Sequence, residues 1–103
     1  MAAIVTVVHM HPKPGQRDAL LAAVETIASD IRAEAGCDLY ALHTTDDSVV
    51  TISKWADGDA LAAHAKGEPV VRLRAAIADL VTGPSSILRL SPTNTASAER
   101  AEL

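Results

Sequence analysis

The apolar residues of this chain change their spacing in a fixed order, and that order constrains the fold more than any other feature. A β-branched run precedes a segment whose apolar residues recur every three or four positions, which predicts a strand and then an amphipathic helix. Similar changes of pattern follow further along the chain. In chain order, the predicted elements are a strand at 4–10, a helix at 16–35, strands at 38–44 and 49–55, a short helix at 58–66, a helix from 69 that ends before Gly83-Pro84, and a strand at 86–91.

Apart from the short helix, this order is β-α-β-β-α-β, the pattern of ferredoxin-like α+β folds with an antiparallel sheet. Helices cover one face of such a sheet, yet the first strand is apolar on both faces, with Val8 on one side and Val7 on the other. A second copy of the chain is the simplest cover for the remaining face, so we expect a homodimer. Residues 1–91 are predicted to form the domain, and the polar segment 92–103 is predicted to be a disordered tail.

The composition narrows the class of function. A formal net charge of -4 over 103 residues disfavours nucleic acid and anionic membranes, which both select a basic surface. No segment approaches the ~20 apolar residues of a membrane span, and the first residues lack the pattern of a signal peptide. The single Cys37 cannot form an intrachain disulfide. We therefore expect a cytoplasmic domain.

Trp55 and His64 are the first candidates for a functional site. The chain has one Trp, one Tyr and no Phe, so an indole at the end of a strand is unusual in a core of small aliphatic residues. His64 follows Leu61 by three positions in the short helix, and the two side chains therefore share a face. An inward imidazole can act as a general base or acid, and an indole can stack on a planar ligand. The alternatives are a partly buried histidine bonded to backbone and a tryptophan that fills the core.

Other residues give weaker signals. Tyr40 shares a strand face with Leu42 and can pack in either layer, where its hydroxyl needs a partner if it is buried. No metal site is predicted, because the His9-x-His11 pair has no third ligand at a recognisable spacing. The five glycines are isolated, so no phosphate loop or dinucleotide motif is present, and we expect no cofactor.

Charged residues are predicted to lie on the solvated surface. Glu34 belongs with the other acidic residues on the polar face of the first predicted helix. Arg72, Arg74 and Arg89 could serve an anionic substrate. Arg72 and Arg74 flank Leu73, however, and cannot both point inward, so a surface position is expected for the arginines.

Over residues 4–91 the chain resembles the antibiotic biosynthesis monooxygenase family. Four passages carry the resemblance, namely Pro14-Gly15 before the first helix, Glu34-Ala35-Gly36-Cys37-Asp38-Leu39-Tyr40, Lys54-Trp55-Ala56-Asp57, and Ala60-Leu61-x-x-His64. The resemblance implies a dimeric α+β barrel built from two ferredoxin-like protomers. It also implies oxidation of a quinol or phenolic small molecule by O₂ without metal, flavin or haem.

In that implied reaction a phenol must lose its proton before it can give an electron readily to O₂. His64 would be the catalytic base, and Trp55 would orient the aromatic substrate. Val8 and Leu61 would exclude water from the pocket. We take Trp55, Tyr40, Val8 and Leu61 as the substrate-binding residues.

Two departures from the family pattern leave other functions open. Haem-degrading members carry an Asn on the first strand where this chain has Val8, which disfavours haem degradation. Many relatives also carry a second His after the Pro that is Pro69 here, whereas this chain has Val70. The alternatives are a non-oxidative isomerase or cyclase on the same scaffold, and a non-catalytic protein that binds a small molecule, including haem.

Overall fold

A computed structural model of the chain describes residues 2–93, 100 and 102–103. Within those residues the elements are β1 (Ile4–Met10), α1 (Arg17–Arg32), β2 (Cys37–Thr45), β3 (Ser48–Trp55), α2 (Gly58–Ala65), α3 (Glu68–Ile77) and β4 (Ser86–Leu90). The order predicted from the sequence is confirmed. The predicted disorder of 92–103 falls mainly on residues outside the described part of the chain.

The four strands form one antiparallel sheet in the order β2-β3-β1-β4. In the central strand β1, Val8 pairs with Thr51 of β3 on one side and with Ile87 of β4 on the other. This arrangement confirms the ferredoxin-like α+β fold. Strands β2 and β4 are the edges of an open sheet, so one copy of the chain does not form the barrel that the resemblance implies.

The stripe of apolar residues on α1 packs as its spacing predicts. Leu20, Val24 and Ile31 are fully buried against a sheet face that includes Met10 and Val49. All three helices lie on this face. The opposite face carries the other side chains of each strand, among them Leu88, which is 62% exposed on β4.

Both long helices end earlier than the sequence predicts. Helix α1 ends at Arg32 rather than at residue 35, because the Glu34 N–H donates to Ile31 at 3.0 Å and tightens the last turn. Helix α3 ends at Ile77, well before Gly83. The chain after it pairs with the segment that follows β1, where the Thr82 N–H donates to the His11 carbonyl at 2.9 Å.

Candidate functional site

A cavity of about 560 Å³ lies between the sheet and helices α2 and α3. Val8 and Tyr40 contribute to its floor from the helix-covered face of the sheet. Leu61 and His64 contribute to its wall from α2. Four of the five residues predicted to form the site therefore line the same cavity.

The position of His64 follows from how α2 begins. The Asp57 side chain accepts a hydrogen bond from the Ala60 N–H at 2.8 Å and so caps the N-terminus of the helix. His64 then falls in the last turn of α2, on the same side as Leu61. Its side chain is only 15% exposed.

The imidazole of His64 is bonded at one nitrogen and open at the other. Its Nδ1 lies 3.0 Å from Oε1 of Glu34. An ionised carboxylate can only accept, so Nδ1 carries the proton of that hydrogen bond. Nε2 forms no hydrogen bond with the described residues, and no unpaired polar atom of a buried side chain is found among them, so Nε2 is accessible. A neutral His64 therefore presents its free lone pair at Nε2.

Trp55 contacts the imidazole directly. The two ring centroids are 4.3 Å apart, with 28° between the ring planes. The indole is fully buried, and its N–H donates to Ser53 Oγ at 3.0 Å. Trp55 does not line the cavity, since it lies behind His64 and not beside it. The indole of Trp55 therefore has no exposed face on which a ligand could stack, contrary to the prediction from the sequence. Instead, the indole packs against the imidazole of His64.

Buried hydroxyl groups form the polar part of the cavity floor. The Thr6 and Ser53 hydroxyls share a hydrogen bond, and both residues line the cavity with Thr51. Burial raises the pKa of Tyr40 to about 12, although a hydrogen bond with the Thr51 side chain and the charge of Arg32 both oppose that rise. Tyr40 is therefore a neutral phenol at physiological pH, with its partner on β3.

Sequence analysis missed these hydroxyls and Glu34. A signal for the hydroxyls was present, because Thr51 and Ser53 alternate in step with Trp55 and so lie on the buried face. Glu34 was assigned to the solvated face of a helix that in fact ends at Arg32. In the turn that replaces the last helical residues, its side chain is 18% exposed and reaches His64.

The arginines separate into two groups. Arg74 of α3 and Arg89 of β4 are exposed, as the sequence predicts, and both also lie on the lining of the cavity. Arg72 forms ion pairs with Asp30 at 2.7 Å and with Glu68 at 3.1 Å. Of the two arginines that flank Leu73, only Arg74 lies beside the cavity.

The described residues contain neither a cluster of metal ligands nor a helix that could cross a membrane. The rings of His9 and His11 are 4.4 Å apart, but no group of three or more metal-ligating side chains forms in this part of the chain. None of its helices has the length and apolar character needed to cross a membrane.

The fold and the cavity together define a class, a ferredoxin-like domain with a binding cavity between its sheet and helices. The chain belongs to the antibiotic biosynthesis monooxygenase family, whose sequence model matches residues 3–76. The resemblance stated from the sequence is therefore confirmed.

Individual relatives agree with the family assignment. The chain is 29% identical over 97 residues to the Mycobacterium tuberculosis protein named "Putative monooxygenase Rv0793", covering 92% of this chain and 96% of that one. The solved structure of Rv0793 matches with a TM-score of 0.83 at 26% identity, over 92% of this chain and 99% of that chain. The structure of PA3566 from Pseudomonas aeruginosa matches with a TM-score of 0.81 at 25% identity, over 90% and 96%.

Proposed function

We propose that this protein is a cofactor-independent monooxygenase that oxidises a phenolic or quinol-like small molecule with O₂. The observation that carries the proposal is the imidazole of His64. It lies on the wall of a largely apolar cavity, with Nδ1 bonded to Glu34 and Nε2 free. Membership of the antibiotic biosynthesis monooxygenase family supports the same reaction class.

His64 acts as the general base of the proposed reaction. Its Nε2 takes the phenolic proton, and the resulting imidazolium is stabilised by Glu34 at 3.0 Å. The phenolate is a much better one-electron donor to O₂ than the phenol is. A phenol with a free ring C–H plus O₂ then gives a quinone plus water. One oxygen atom enters the substrate and the other leaves as water, so the substrate supplies all the electrons.

The cavity supports this chemistry in two ways. Val8 on its floor, and Leu61 and Leu73 on its walls, are apolar and exclude water from the phenolate and from reactive oxygen intermediates. Trp55 packs against the imidazole and restricts its rotation, so that Nε2 keeps one direction relative to the bound ring.

The first test removes the base. We expect His64→Ala to lower kcat by roughly 100-fold, which is the usual scale of general base catalysis. Oxygen uptake with a reduced quinol after metal removal measures the rate, and labelled O₂ shows whether one oxygen atom enters the product. The matched control is Lys66→Ala, an exposed residue at the end of the same helix. Full activity of His64→Ala would contradict the proposal.

The same assay separates the alternatives. Turnover under strict anaerobiosis would indicate a proton-transfer isomerase or cyclase that uses the same base. Binding without any product would indicate a small-molecule binding protein. A Soret shift on haem titration that is lost in His64→Ala would identify the haem-binding form.

We further propose that the active form is a homodimer in which two open sheets face each other and close a barrel. The sheet face without helices is largely apolar, with Val7 on β1, Ile52 on β3 and Leu88 on β4. A second copy of the same chain covers this face without any change to the cavity on the other side of the sheet.

A further inference from the structure

The cavity is cationic although the protein is acidic. Arg74 and Arg89 line it, and no Asp or Glu does. The sequence nevertheless contains 13 acidic residues and has a formal net charge of -4. The local charge of the cavity is therefore opposite in sign to that of the chain, which favours an anionic ligand.

These two guanidinium groups have no carboxylate partner among the described residues. Arg74 donates to the Ala65 carbonyl at a long 3.4 Å, and Arg89 forms no hydrogen bond or ion pair with them. Arg72 shows the contrast, because Asp30 and Glu68 both neutralise it. Arg74 and Arg89 are both exposed and both line the cavity, so a ligand in the cavity can reach their unpaired charges.

The arginines lie next to the other polar groups of the site. Arg74 reaches the carbonyl of Ala65, the residue that follows His64 in α2. Arg89 pairs with Thr6 across the two strands, beside the hydroxyl groups of the floor. A ligand that occupies the apolar part of the cavity can therefore meet the imidazole and a guanidinium group at the same time.

We propose that the substrate of this cavity is an aromatic acid, a phenol or quinol that carries a permanent carboxylate. The ring packs on apolar residues such as Val8 and Ile77, and the carboxylate binds Arg74 and Arg89. The planar guanidinium fork matches a carboxylate with two parallel hydrogen bonds. The phenolic part rests on the proposed function above, whereas the acidic part rests on the charge of the cavity alone.

The test compares two ligands of the same shape. Calorimetry measures the binding of hydroxynaphthoate and of its neutral carboxamide to the full chain. We expect the acid to bind roughly tenfold more tightly, the usual effect of one charge-assisted hydrogen bond. Arg74→Gln and Arg89→Gln should each remove most of this preference. The matched control, Arg72→Gln, should keep it.

A second measurement needs no variant. Added salt should weaken binding of the acid several-fold and leave binding of the amide unchanged, because only the acid binds through charge. Equal affinities for acid and amide would overturn the proposal, and so would a preference that survives in both cavity variants. If the acid is preferred but no oxygen is consumed, the proposed monooxygenase fails while the acid site stands.

Discussion

His64 is held by side chains from two other parts of the chain. Glu34 binds its Nδ1 from the turn after α1, and Trp55 stacks on its ring from the end of β3. Together they fix both the tautomer and the orientation of the imidazole. The tautomer and the orientation of His64 are therefore set by two residues that do not line the cavity.

The tautomer of His64 gives the first prediction. A carboxylate at Nδ1 can only accept, whereas the amide of Glu34→Gln can donate or accept, so the neutral imidazole should become a mixture of tautomers. Nitrogen NMR of the imidazole reads this directly. We expect kcat to fall about tenfold, a loss of about 1.4 kcal/mol of transition-state stabilisation, with KM little changed.

Two further variants show whether the charge or only the packing of Glu34 matters. Glu34→Asp keeps the carboxylate and should recover part of the rate. Glu25→Gln removes an exposed carboxylate from α1 and should behave as wild type. If Glu34→Gln keeps a single Nδ1–H tautomer and full turnover, the contact of Glu34 with His64 only holds the turn after α1 against α2.

Tyr40 gives a prediction about alkaline pH. Burial raises its pKa from 10.0 to about 12, so the tyrosinate forms more readily in the unfolded chain than in the folded one. This contribution to stability is fully present below pH 10 and is lost as the pH rises towards 12. Its upper limit is about 2–3 kcal/mol.

The chain has one tyrosine, so ultraviolet titration of tyrosinate reports on Tyr40 alone. We expect a midpoint near 12 in the folded protein. Denaturant unfolding, followed by Trp55 fluorescence, should show that Tyr40→Phe loses less stability than wild type over the same alkaline range. A midpoint near 10 would mean that water reaches the hydroxyl.

At the scale of elements, the sequence predicts which segments become helices and strands but not where they approach each other. The spacing of Leu20, Val24 and Ile31 was sufficient to place α1 on the sheet. The end of α1 was not predictable, because periodicity carries no information about the tightened turn that brings Glu34 to His64. The sequence predicted a pocket at His64 but not its volume, which depends on where α3 lies relative to the sheet.

Gly36 marks the closest of these approaches and gives the next prediction. Its φ is +82°, and a Cβ placed there would lie 2.4 Å from the Cβ of Ala60 in α2. Gly36→Ala should therefore cost about 2–4 kcal/mol of unfolding free energy, combining backbone strain with overpacking. Denaturant unfolding followed by Trp55 fluorescence measures the loss.

Gly15 is the matched control for this substitution. Its φ of +77° is similar, but nothing lies within 4 Å of its ideal Cβ. Gly15→Ala should therefore show only the backbone part, about 1–2 kcal/mol. Adding Ala60→Gly to Gly36→Ala should recover the contact part. Equal losses at the two glycines would mean that α2 does not pack closely on this turn.

At the scale of the whole molecule, the two faces of the sheet differ in what covers them. On the helix-covered face, Thr6 and Val8 of β1 form the floor of the cavity. On the other face, Val7 pairs with Leu88 of β4, and no helix covers them. The alternation of residues in β1 predicted from the sequence that both faces of the sheet are apolar. The cationic lining of the cavity was not predictable, because it depends on how β4 and α3 come together around the cavity.

The proposed dimer gives the last prediction. Leu88 is 62% exposed on the sheet face without helices, and a two-fold axis would bury it in both copies. Leu88→Lys removes one apolar side chain from each copy, and so two from the interface. At about 1.5–3 kcal/mol for each side chain, this loss should weaken the dimer at least about 100-fold. Sedimentation at several protein concentrations measures the dissociation.

Val71→Lys is the matched control, because Val71 is 55% exposed on α3, away from this face. A Leu88→Lys protein that sediments as wild type does would place the contact between copies on another surface.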